Sequence, residues 1–151
     1  MIHGIFFTKN IDIISDNTTQ SVDKQVKKKT FSKVSRVLVQ SKDSKLQMFL
    51  DVNTEIYNLC LGDKLDIMIT KVVEPVYELQ GHVNDWVFNF KKELIDLYEY
   101  VMYGTVFHMG VEGNGFFIYA SFGGLLMKMF GIEKKTDFEI DTKILILIRK
   151  V

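Results

Sequence analysis

The chain has one cysteine, Cys60, and one proline, Pro75, in 151 residues, and its 19 basic and 19 acidic side chains leave no formal net charge. A single thiol excludes an internal disulfide and fits a reducing compartment, the nucleus or cytosol. Flanked by Leu59 and Leu61, Cys60 is expected to be an inert core thiol. Charge balance argues against a protein whose main work is gripping phosphate backbones, which is usually basic. No stretch approaches the roughly 20 apolar residues of a membrane helix. The apolar start turns polar by Lys9 without a cationic leader, so no signal peptide is expected and the chain reads as soluble and intracellular.

What is present is apolar and aromatic. Hydrophobic residues make up 47% of the chain and aromatics 13%, which excludes global disorder. With one proline and many β-branched and aromatic residues, the composition leans to sheet rather than bundle. The length suits one domain over residues 1–151 with a single core.

Alternation dominates the chain. Gly4 to Phe7 reads as a short buried strand. Residues 15–29 are polar and read as an exposed loop; its end, Lys27-Lys28-Lys29, reads as solvated charge before RNA contact or nuclear import is invoked. In Leu46 to Asn53 the apolar residues Leu46, Met48, Leu50 and Val52 recur at period two. Leu65, Ile67 and Ile69 repeat the pattern after the Gly62-Asp63 turn signal. Val83, Trp86, Val87, Phe90, Leu94 and Leu97 instead follow helical spacing, with Asn84 or Asp85 as cap, and predict a short helix over 83–97. A strand face of Trp86, Phe88 and Phe90 is the rival. Tyr98 to Phe107 returns to strand, Gly113-Asn114-Gly115 reads as a hairpin turn, and strands follow at Phe116 to Phe122, Leu125 to Phe130 and Ile144 to Ile148. Leu50 to Ile56 also echoes Phe138 to Ile144, as two duplicated half-barrels closing on each other would require.

Nothing in this pattern assembles a catalytic centre. His3, His82 and His108 are scattered without ligand spacing, and one cysteine leaves a structural zinc few ligands. Gly110, Gly113 and Gly115 lie between two strands, where no helix N-terminus is available to an anion. Asp51, Asp63, Asp66, Asp137 and Asp141 read as strand-end and turn residues, solvated or locally hydrogen-bonded. The expectation is a non-enzyme without metal, cofactor or small-molecule substrate. Several strands are apolar on both faces, which calls for a cover: either this chain's own helix or N-terminal strand, or a protein partner.

Tyr98-Glu99-Tyr100-Val101-Met102-Tyr103-Gly104 and Tyr119-Ala120-Ser121-Phe122-Gly123-Gly124-Leu125-Leu126-Met127-Lys128 carry a resemblance. So do Gly4 to Phe7, Val34 to Arg36, Leu50 to Asn53, Ile56-Tyr57, Leu61 to Lys64 and Phe138 to Asp141, in the same order. Together they resemble the eighth-subunit family of eukaryotic nuclear DNA-directed RNA polymerases, shared by polymerases I, II and III. The family pattern has a polar, acidic loop where Val83 to Leu97 stands, so the resemblance does not explain that segment. It implies an all-β fold: one antiparallel barrel of about eight strands, built from two incomplete oligonucleotide/oligosaccharide-binding halves. It also implies a non-catalytic nuclear subunit docked on the largest polymerase subunit beside neighbouring subunits, supporting assembly. Where the matched motifs concentrate, Tyr100, Val101, Tyr103, Phe122, Gly123, Gly124, Leu125 and Leu126 are the candidate partner-binding residues. The alternative is a stand-alone barrel holding single-stranded nucleic acid, with Tyr103, Phe107 and Tyr119 stacking on bases above Lys33, Arg36, Lys42 and Lys45.

Overall fold

A computed structural model describes residues 1–13, 33–72, 93–132 and 138–151. The polar loop expected over 15–29, the helix expected over 83–97 up to residue 92, Trp86, His82 and Asp137 lie outside them. The described residues form eight strands: β1 (Ile2–Ile13), β2 (Val34–Ser41), β3 (Gln47–Asn53), β4 (Lys64–Lys71), β5 (Tyr100–Glu112), β6 (Gly115–Phe122), β7 (Leu125–Ile132) and β8 (Lys143–Lys150). They close into one antiparallel barrel in the order β1-β2-β3-β7-β6-β5-β8-β4. The all-β barrel of about eight strands expected from the resemblance is the observed architecture, and among the described residues helix is limited to 93–95.

Period-two alternation builds the interior. Met48, Leu50 and Val52 of β3 point inward with Leu65, Ile67 and Ile69 of β4 and Ile144, Ile146 and Ile148 of β8, all at most 1% exposed. The outer face of β4 and β8 is apolar too. Met68, Val72, Leu145 and Leu147 form a second cluster there, against which Leu94, Ile95, Tyr98 and Val101 pack. For these two strands the cover is the chain's own segment ahead of β5.

The barrel consists of two like halves. Strands β1 to β4 lie in the order β4-β1-β2-β3 and strands β5 to β8 in the order β8-β5-β6-β7, each the Greek-key arrangement in which the fourth strand returns beside the first. Third pairs with third and fourth with fourth, so a pseudo-twofold axis runs through the Phe49–Lys128 pair at one seam and the Met68–Leu147 pair at the other. The likeness extends to single hydrogen bonds. The Gly62 N–H donates to Thr8 O at 2.9 Å and the Asp141 N–H to Val106 O at 2.8 Å; in return Thr8 N–H reaches Asp63 O at 2.9 Å and Val106 N–H reaches Thr142 O at 3.0 Å. Gly62 and Asp141 hold matching positive φ angles of 83° and 71°. The β1 register shifts after Thr8 and the β5 register shifts after Val106. The internal echo therefore has a different register from the one expected. Leu59 to Leu65 is the counterpart of Phe138 to Ile144, turn against turn, whereas Leu50 to Ile56 sets a strand against a turn.

Both tight hairpins are built by glycine. Gly113 and Asn114 connect β5 to β6 with only Gly113 at positive φ (61°), the pattern of a type II′ turn rather than one centred on Asn114-Gly115. Gly123 and Gly124 connect β6 to β7 with φ of 61° and 95°, so this pair is the two-residue turn itself.

Candidate partner interface

The eight candidate residues divide between interior and exterior. Tyr100 is 7% exposed: its ring stacks on Tyr57 at 5.1 Å, and its hydroxyl accepts a hydrogen bond from the Asn53 N–H at 3.2 Å. Phe122 is 4% exposed. Its ring occupies the space beside Gly104, where an added Cβ would stand 2.5 Å from it and 2.3 Å from the Ser121 carbonyl. These two are core residues, because i and i+2 share a strand face and their face is the one holding Met102, Val106 and Ala120. Val101 points outward but is half-covered by Met68 and Leu147. Leu125 packs partly on the core, whereas Tyr103 and Leu126 are 46% and 42% exposed beside the Gly123-Gly124 turn. The motif that carries the resemblance is therefore largely one packing unit: the Gly104 and Phe122 segments are pressed together and closed by a double-glycine turn.

Sequence reasoning missed the more extensive outward feature. At the β3–β7 seam the alternation that sends Met48, Leu50, Met127 and Met129 inward sends Phe49, Lys128 and Phe130 outward, next to Phe117 and Tyr119 of β6. The rings of Phe49 and Phe130 stack at 5.8 Å, and Tyr119 meets Phe117 edge-on at 5.6 Å and Phe107 at 6.0 Å. The Lys128 ammonium lies 5.4–5.8 Å from the ring centres of Phe117, Tyr119 and Phe130, a cation over aromatic faces. Arg36, Phe49, Tyr119, Leu126, Met127 and Lys128 line a cleft of about 360 Å³ in this field.

A buried acid anchors the cleft. Asp51 is 4% exposed and lies within β3, so it is neither a strand-end residue nor solvated, and its hydrogen bonds reach other strands. It accepts from Arg36 Nε at 2.8 Å, from Arg36 Nη2 at 3.2 Å and from the Leu126 N–H at 3.0 Å. The hydrogen bond to Asp51 raises the Arg36 pKa above its ordinary value. One carboxylate thus ties β2, β3 and β7 across the seam. The opposite seam has its own tie: Asp66, also 4% exposed, takes Arg149 Nε at 2.9 Å and His3 Nε2 at 2.7 Å beneath Tyr98. A buried carboxylate is tolerated only when paired in this way. Asp63 accepts from the Cys60 N–H at 2.8 Å, and Cys60 is exposed rather than a core thiol, because it lies in this turn instead of a strand.

The groove of the nucleic-acid alternative does not gather. Lys33 and Arg36 stand near the start of β2, facing Glu55 and Asp51, whereas Lys42 and Lys45 flank a separate cleft beyond its end with Ile2 and Leu46. Of the three stacking candidates, Phe107 and Tyr119 meet at 6.0 Å.

Near the barrel end, Tyr57 donates to Glu99 Oε1 at 3.0 Å and the Lys150 N–H donates to the same oxygen at 2.6 Å. These donors, the Lys150 N–H first, lower the Glu99 pKa, while burial and then Glu99 push the Tyr57 hydroxyl well above its ordinary value. A raised tyrosine contributes stability that is complete below its unfolded pKa of about 10 and is lost as pH rises beyond it. Urea midpoints are therefore expected to fall between pH 9 and 11, and Tyr57→Phe to lessen that fall. An equal fall in both proteins would remove Tyr57 from the account.

The RNA polymerase Rpb8 family matches residues 17–150 of the chain. Among curated relatives, the DNA-directed RNA polymerases II, IV and V subunit 8B of Arabidopsis thaliana is 38% identical over 130 residues, covering 82% of this chain and 86% of the relative. The probable DNA-directed RNA polymerases I, II, and III subunit RPABC3 of Caenorhabditis elegans is 33% identical over 139 residues, covering 87% and 90%. The corresponding subunit of Dictyostelium discoideum is 31% identical over 125 residues, covering 81% and 86%. With a match that spans β2 to β8 and motif residues largely accounted for as barrel packing, the chain belongs to the RNA polymerase Rpb8 family.

Proposed function

We propose that the chain is a non-catalytic core subunit of nuclear DNA-directed RNA polymerases, shared among them, which docks on the largest subunit and supports assembly. The observation that carries the docking is the contrast between the two seams. The β4–β8 seam is covered by Leu94, Ile95 and Tyr98, whereas at the β3–β7 seam Phe49, Tyr119 of the adjoining β6 and Leu126 line a cleft, with Phe107 of β5 against Tyr119. Aromatic side chains grouped on a surface are the usual anchors of a protein interface. The buried acids support the non-catalytic reading, since Asp51 and Asp66 are both engaged by arginine and tie strands together.

Phe49→Ala combined with Tyr119→Ala is expected to leave the thermal melt close to the original and to lower recovery of the largest subunit by a tagged chain. Truncating interface aromatics commonly costs about 2 kcal/mol or more, roughly a thirtyfold loss of affinity. Met102→Ala is the control, expected to lower the melt through a core cavity. Full recovery of the largest subunit by the double variant would move docking away from this seam. Single-stranded nucleic acid is the second reading. It has less support here, because Lys128 and the neighbouring rings already engage the faces of Phe117, Tyr119 and Phe130. Titration with a single strand at two salt concentrations tests it, since phosphate contacts give a steep salt dependence.

A further inference from the structure

Strand β5 extends beyond its neighbour on one side. It pairs with β8 over Tyr100–Thr105, and the last bonds on that edge are those of Val106 with Asp141 and Thr142. On the other side it stays paired with β6 as far as Glu112. From Phe107 to Glu112, β5 is therefore an edge strand among the described residues. The Glu112–Gly115 pair closes the two-residue turn and sets the alternation: Gly110 and Glu112 bond to β6, while Met109 and Val111 turn their N–H and C=O groups to the open side.

The pseudo-twofold axis supplies an internal comparison. β1 overhangs in the same way, pairing with β4 over Ile2–Phe7 and with β2 as far as Ile13. That edge is blunted. Lys9, Asn10 and Asp12 occupy it, and the N–H of Ile11, the counterpart of Met109, is taken by Asn10 Oδ1 at 2.9 Å. Charges on an edge, lysine above all, are how sheets discourage strand addition. The β5 edge has no lysine, Phe107 and Val111 are 47% and 68% exposed, and no described side chain accepts from the Met109 N–H.

We propose that the Phe107–Glu112 edge of β5 is a strand acceptor, to which an extended segment of another polymerase subunit adds as a further strand. Its backbone pairs with Met109 and Val111, and its apolar side chains lie against Phe107 and Val111. Among the described residues this edge is open, and donors and acceptors repeating at strand spacing are matched by extended polypeptide and not by a helix or a nucleic acid. The inference rests on the assembly reading above and names the contact chemistry.

The test uses the full chain, tagged, with Val111→Pro. Proline is tolerated where a strand N–H faces outward, so the barrel keeps its melt while the edge loses a donor. Recovery of polymerase subunits is expected to fall on the order of tenfold or more. Should the proline variant melt early, Val111→Lys keeps the backbone, adds an edge charge and is expected to give the same loss. Hydrogen exchange supplies the second readout: the Met109 and Val111 amides exchange quickly in the isolated chain and slowly in the assembled enzyme. Recovery at the original level by a stably folded variant overturns the proposal. So does protection of those amides in the isolated monomer, which would mean that the chain's own segment covers the edge, or protection that grows with concentration, which would mean a second copy. A wild-type chain that recovers no polymerase subunit sinks the assembly reading and the strand acceptor with it.

Discussion

A chain ending at Asp141 is expected not to fold. Strand β8 pairs with β4 on one edge and β5 on the other, so its loss opens the barrel. Ile144, Leu145, Ile146, Leu147 and Ile148 are each at most 3% exposed. A buried aliphatic side chain contributes about 1.5–3 kcal/mol, so the five together are comparable to a typical stability of about 5–15 kcal/mol before any ladder bond is counted. Three of them close the interior, and Leu145 and Leu147 hold the outer cluster, so no neighbouring layer compensates. Far-UV and near-UV circular dichroism with a denaturant titration would check this. A truncated chain with an unchanged cooperative transition would show β8 to be peripheral.

The second large effect is expected from Gly104→Ala. The new methyl group would stand 2.3 Å from the Ser121 carbonyl and 2.5 Å from the Phe122 ring. A ring can turn, but a backbone carbonyl held in the β5–β6 ladder cannot, so the two strands must separate locally. Overpacking commonly costs about 1–3 kcal/mol, and a contact with backbone belongs at or above the upper end. Phe122→Leu is the discriminating partner. It removes the ring contact and leaves the carbonyl, so Gly104→Ala with Phe122→Leu is expected to melt no higher than Gly104→Ala alone. A full rescue would locate the obstruction in the ring.

These two variants also mark what the sequence made legible. Alternation at period two located β3 and β4 within two residues, because burying one strand face selects apolar residues at i and i+2, and apolar runs beside turn signals located β6, β7 and β8 as closely. Tyr100 and Met102 were separable from Tyr103 on the same ground, although which face was interior needed the closed barrel. Phe49, Phe117 and Phe130 escaped notice because an outward aromatic on a strand that is apolar on both faces looks the same as core. Asp51 and Asp66 were expected to be solvated or locally hydrogen-bonded, since their arginine partners lie 15 and 83 residues away and only strand pairing brings them together. Cys60 was misplaced for the opposite reason: its leucine neighbours suggested a core position where the chain turns at the surface. The duplication was visible, but a register judged by residue type matched a strand to a turn until φ angles and hydrogen bonds aligned Gly62 with Asp141.

The pairing of fourth strand with fourth has a consequence for synthesis of the chain. When β4 leaves the ribosome its outer edge has no neighbour, because β8, starting at Lys143, comes near the end of the sequence. At about 5–20 residues per second, the first half waits roughly 4–16 s with the β4 edge open, and the β3 edge waits for β7. Since the halves are alike at both seams, an edge awaiting β8 also suits the β4 of a nascent neighbour. Two chains emerging side by side would then pair half with half, so yield should fall with crowding on the message and recover when a chaperone shields the first half.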